Sequence, residues 1–194
     1  MIVLAWVVFI VCLIYIRYCS DVQVAIKYDN HTYYVNNNQS DDSKLKKAKI
    51  LHEIRSKMNG LLEELKKPKY ESEQPIQILL KKNHRRTIQL DELPNALSLR
   101  RTFAFNVNKG ERISICLTKE NTINDLFFVV MHEVAHSMTT EYAHNHNFWM
   151  NFKRLIEVSI EIGLYENRHY SNSPEKFCNF AINHNPYYDD PVIY

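Results

Sequence analysis

Five consecutive residues, His132-Glu133-Val134-Ala135-His136, carry the clearest chemistry in the 194-residue chain. Two histidines four apart share one face of a helix, so their ring nitrogens can meet at a single metal ion. The glutamate between them then stands beside the metal's open coordination position, where it can take a proton from water. The surrounding positions, Phe127, Phe128, Val130 and Met131, are apolar enough to bury this helix. Three polar side chains in such a segment need a buried purpose, because burying them without partners costs several kcal/mol. A catalytic zinc takes a third protein ligand, and the nearest candidates downstream are His144 and His146.

The elements that must position these residues can be read from local pattern. Thr122-x-x-Asp125 offers a capping box ahead of an apolar helix over Leu126–Met138. Arg101–Val107 and Arg112–Leu117 alternate around Asn108-Lys109-Gly110, which predicts a β-hairpin just before it. A further helix from about Asn147 to Ile162 ends at Gly163. Upstream, Leu45, Ala48, Leu51, Ile54, Met58, Leu61, Leu62 and Leu65 recur at three and four, predicting a long amphipathic helix over Ser43–Lys67, stopped by Pro68. Residues 76–82 read as a short helix and 83–101 as irregular chain. Val22–Lys27 and Thr32–Val35 read as two short strands about Asp29-Asn30.

Composition removes several alternatives. With 45% apolar and 24% charged residues the chain is built to fold. Its three glycines, Gly60, Gly110 and Gly163, lie too far apart for a dinucleotide fingerprint or a phosphate loop. No Cys-x-x-Cys pair exists, which excludes a thiolate zinc knuckle. Residues 44–86 hold thirteen Lys and Arg against five Glu, a basic stretch whose helical interleaving with apolar residues reads first as a solvated face, and second as a surface for nucleic acid, anionic lipid or an acidic partner.

Residues 1–16 carry no charged side chain, and nineteen helical residues reach about 28 Å, close to the roughly 30 Å hydrocarbon core of a bilayer. The expected organisation is therefore a transmembrane anchor over 1–19, a tether with a short hairpin over 20–43 and a folded domain over 44–194. Arg17 and Lys27 after the span place that domain on the cytoplasmic side, against the opposite hint of two sequons at Asn30 and Asn38. Cys116 and Cys178 can bond in an oxidising setting, whereas a domain facing the cytoplasm would keep them reduced.

His136, seven residues, His144, then Asn145-His146-Asn147-Phe148-Trp149 opening an amphipathic helix resembles the zinc site of the WLM and SprT-like metallopeptidases, in particular the small WLM-like proteins of large DNA viruses. The likeness covers roughly Thr102 to Leu164. It implies an α+β, minimal zincin-like fold, a bound zinc and peptidase activity. It also implies that His132, His136 and His144 are the ligands, Glu133 the general base and His146 a bystander. Together with the expected anchor, it points to a protein of a virion membrane or assembly site, with the bilayer, a protein substrate and virion or capsid proteins as partners. The alternative is a structural virion protein that keeps the fold without needing the activity. Tyr187, Tyr188, His169 and Tyr170 are weaker candidates to stabilise an oxyanion, with packing the simpler role in a chain holding twelve tyrosines.

Overall fold

The computed structural model describes residues 6–13, 22–85, 87–95, 102–139, 141 and 143–190. Strands β1 (Gln23–Tyr28) and β2 (His31–Asn36) form an antiparallel hairpin. Its turn, Asp29-Asn30, takes positive φ at both residues (45° and 61°), the backbone that a two-residue hairpin turn requires and that Asp and Asn tolerate. Helix α1 (Asp41–Leu65) follows, capped by the Ser40 side chain, which accepts from the Ser43 N–H. A 3-10 turn at Pro68–Tyr70, helix α2 (Gln74–Arg85) and strand β3 (Gln89–Glu92) lead to the hairpin of β4 (Ala104–Val107) and β5 (Arg112–Ile115). Helix α3 (Ile123–Ala135) passes into a 3-10 turn at His136–Met138, and α4 (His146–Glu161) precedes a last hairpin, β6 (Glu175–Phe177) and β7 (Phe180–Ile182).

The architecture is α+β. β5 lies at the centre of a three-stranded sheet, parallel to β3 and antiparallel to β4. α3 packs between this sheet, α1 and α4, and its Phe127, Val130 and Ala135 are fully buried. The apolar stripe expected on α1 faces inward: Leu51, Ile54 and Leu65 are fully buried. Much of the basic stretch is tied down in ion pairs, Lys66 with Glu63, Lys67 with Glu64 and Lys69 with Glu161 among them.

Two stretches differ from the sequence expectation. Residues 83–101 are not all irregular, because β3 occupies part of them. Its sequence, Gln-Leu-Asp-Glu, is too polar to read as a strand, yet Asp91 and Glu92 are buried. Each carboxylate accepts a main-chain N–H of the first hairpin. Asp91 Oδ1 accepts from the Tyr34 N–H at 2.9 Å, and Glu92 Oε2 accepts from the Asn36 N–H at 2.8 Å. Arg112 pairs with Asp91 at 3.1 Å, and Lys47 pairs with Glu92. Burial pushes the Asp91 carboxyl above its ordinary range against the opposing pull of these donors. The same bonds explain the second difference. Residues 22–36 are not a free tether, since Tyr33 and Val35 are fully buried against the body of the fold.

The single-pass membrane reading is corrected. Of residues 1–19, only 6–13 are among the described residues, and they are helical; the rest of the expected span lies outside the described residues. Among the described residues no helix is long and apolar enough to cross a membrane. The cytoplasmic-side placement falls with it.

Cys116, just after β5, is bonded to Cys178 in the turn between β6 and β7, 62 residues on. Closing a loop of that length removes conformational entropy from the unfolded chain, worth about 4 kcal/mol in the chain-entropy picture. Reductant should accordingly lower the urea midpoint of the wild type and leave that of a Cys116→Ser/Cys178→Ser variant unchanged.

Candidate metal centre

The five-residue motif lies where α3 ends. His132 sits in the last helical turn, and His136 caps the helix and begins the 3-10 turn. Thr122 fixes the other end: its hydroxyl accepts from the Asp125 N–H at 3.1 Å, the N-cap expected from sequence, and donates to the Asp125 carboxylate at 2.5 Å, so the return bond goes to the hydroxyl and not to the Thr122 N–H. His144 comes from the following loop, immediately before Asn145, whose side chain accepts from the Phe148 N–H at 3.0 Å and starts α4. The α4 cap therefore also sets where the His144 ring arrives.

The three rings converge. His144 Nε2 lies 3.1 Å from His132 Nε2 and 3.2 Å from His136 Nε2. Aromatic rings fix their planes: Phe148 stacks on His136 with centroids 4.4 Å apart, and Phe152 meets His132 edge-on at 5.3 Å. Burial, with help from the neighbouring rings, holds His132 well below the usual imidazole range and takes His136 down to about 4; burial alone lowers His144. At neutral pH all three are uncharged and able to ligate. A set of neutral imidazole nitrogens suits zinc, and tetrahedral ligands about 2.0–2.1 Å from that ion stand about 3.3 Å from one another, close to the two separations found here. The residues fit the metal.

Glu133 is buried, and burial pushes its carboxyl up to about 7. Its main-chain carbonyl accepts from Asn106 Nδ2 at 2.6 Å, while Asn106 Oδ1 accepts from the Gly110 N–H at 2.7 Å. One side chain thus joins the β4–β5 turn to the metal helix. Gly110 is required there on two counts: its φ is +106°, and a Cβ would come within 2.7 Å of Ser137 Oγ. Lysines hold the chain beyond the motif. Lys82 Nζ donates to the Ser137 carbonyl at 2.7 Å, and Lys109 Nζ to the carbonyls of Thr139 and Glu141 at 3.2 and 2.9 Å. No spacing rule marks Asn106, Lys82 or Lys109, because each acts through a tertiary bond to main chain.

The structure brings His132, His136 and His144 together and leaves His146 exposed on the first turn of α4, outside the cluster. The weaker oxyanion candidates are engaged with other partners. Tyr170 is buried and donates to Asp125 at 2.8 Å, at the far end of α3 and about 10 Å along the axis from His132. Tyr188 stacks on His169 at 4.3 Å, and Tyr187 stands against Tyr188 at 5.0 Å. A residue that sequence reasoning passed over is closer. His184 meets Trp149 edge-on at 4.7 Å and lines a cavity shared with His132 and His144.

Comparison with known proteins identifies the family. The family model described as WLM domain matches residues 43–175. The chain is 33% identical over 84 residues to uncharacterized protein R325 of Acanthamoeba polyphaga mimivirus, covering 41% of this chain and 43% of that one. It is 31% identical over 70 residues to uncharacterized protein 136R of Invertebrate iridescent virus 6, covering 32% and 39%. In both cases less than half of the relative's length is matched. No solved structure matches.

Two outcomes are expected of the site. His144→Ala should lose the metal and His146→Ala keep it, as measured by mass spectrometry of bound zinc. In the metal-free protein, Glu133 adds a stability penalty that grows as pH rises, because the unfolded carboxyl ionises near 4.5 and the folded one only near 7. Glu133→Gln should therefore melt with the wild type at pH 4.5 and above it at pH 7, by up to about 3 kcal/mol. The loss of stability as pH falls from 6.5 toward 4, expected from His136, is common to both proteins and cancels in the comparison.

Proposed function

Since the chain belongs to the WLM domain family, we propose that it is a zinc-dependent peptidase that hydrolyses peptide bonds with Glu133 as general base. The observation that carries this reading is the convergence of three imidazoles, two from the end of α3 and one from the loop that follows, at 3.1 and 3.2 Å beside a buried carboxylic acid, Glu133. His132, His136 and His144 would hold the ion. Zinc there supplies a Lewis acid that polarises the scissile carbonyl and acidifies the attacking water.

The chain's own residues do the rest. Phe148 and Phe152 set the ring planes, so ligation costs little ordering of the imidazoles. Asn106 fixes the backbone of Glu133 itself. Glu133, buried next to the ligand His132, would take a proton from water as the carbonyl is attacked and return it to the departing amine. Retention of a carboxylate here favours catalysis over a structural zinc, which has no use for a base and usually takes a fourth protein ligand.

The zinc-loaded full chain should cleave an unfolded protein substrate, and Glu133→Gln should keep its zinc while losing about a hundred to ten-thousandfold in rate, measured by peptide release. Equal cleavage by the two proteins would refute the role of Glu133. Absence of cleavage by the zinc-loaded wild type, on unfolded and DNA-bound protein alike, would leave the structural alternative standing.

A further inference from the structure

Against the imidazole cluster lies a cavity of about 490 Å³, lined on one side by His132 and His144. Most of the remaining wall is apolar, with Phe128 from α3, Phe152 from α4 and Ile182 from β7. Phe103 and Phe180 also contribute, stacked on each other at 4.8 Å with planes 17° apart. No Lys, Arg, Asp or Glu is among the lining residues; Asn183 and His184 join the ligand histidines as the polar groups.

Size and chemistry together restrict what can bind. An apolar protein cavity of about 150 Å³ accommodates benzene, so the space here admits a large side chain with the main chain on either side of it. A charged side chain entering it would give up hydration without meeting a counter-charge on any lining side chain. An apolar one would gain by leaving water. Phe180 remains 48% exposed, an aromatic surface that a bound apolar group would cover.

We infer that this cavity is the subsite for a large apolar side chain, aromatic or aliphatic, of the peptide substrate. Because the cavity and the metal site share His132 and His144, the residue bound there is adjacent to the scissile bond; this placement rests on the peptidase reading, whereas the side-chain class rests on the cavity alone. The β6–β7 hairpin, through Phe180 and Ile182, is then a specificity element, and the Cys116–Cys178 bond holds it against the sheet.

The chain has two tryptophans, so a Trp6→Phe form reports on Trp149, which lines the cavity. N-acetyl amides of Phe, Leu, Ala and Glu are titrated into this full-length protein, metal-free and zinc-loaded, with Trp149 fluorescence as the readout. The Phe and Leu amides should bind at least tenfold tighter than those of Ala and Glu. Phe180→Ala should reduce that preference severalfold without changing the circular dichroism spectrum or zinc content. Mapping of cleavage products should place the cuts beside large apolar residues. Equal binding of all four amides, or a preference untouched by Phe180→Ala, overturns the assignment. Selective binding with no cleavage anywhere supports the cavity's side-chain class and counts against the peptidase reading alone.

Discussion

Everything in this fold answers to one constraint: a helix buried through the core ends in three polar side chains that must be held, uncharged and correctly aimed, in apolar surroundings. α3 runs apolar from Leu126 to Met131, then presents His132, Glu133 and His136 within a single turn. Burial drives the imidazoles toward the neutral form and the carboxyl toward the protonated one, so the environment selects ligating states and a basic carboxylate at once. Packing alone could not fix the rings. Phe148 and Phe152 do so from α4, and Asn145, by starting that helix, also determines where His144 arrives.

The main chain around the motif is held by side chains from other elements. Asn106 reaches the Glu133 carbonyl, Lys82 the Ser137 carbonyl and Lys109 those of Thr139 and Glu141. A helix terminus exposes carbonyls that lack partners within the helix, and lysine donors are well matched to them. The metal site therefore depends on the β4–β5 turn and on α2 as much as on α3.

What could be read from sequence was what local pattern encodes. The cap at Thr122, the stripe on α1 and the hairpin turn at Asn108-Lys109-Gly110 each follow from short-range rules, and His132, His136 and His144 follow from ligand spacing and family likeness. β3 was hidden because Asp91 and Glu92 are buried only by virtue of the Tyr34 and Asn36 N–H groups, which lie more than fifty residues earlier in the chain. β6 and β7 are three residues each, too short for alternation to register. The apolar run at the N-terminus misled in the other direction. Hydropathy alone suggested a span, whereas among the described residues no helix is long and apolar enough to cross a membrane.

The cavity beside the histidines draws its walls from widely separated parts of the chain, and this sets an order of events during synthesis. The three imidazoles have all been made once residue 144 is added, whereas Phe180 and Ile182 follow almost forty residues later. At roughly 5–20 residues per second, a ribosome delivers the ligands a few seconds before the wall. A nascent chain thus holds all three imidazoles before the β6–β7 wall of the neighbouring cavity has been made, so the two parts of the site are completed at different stages of synthesis.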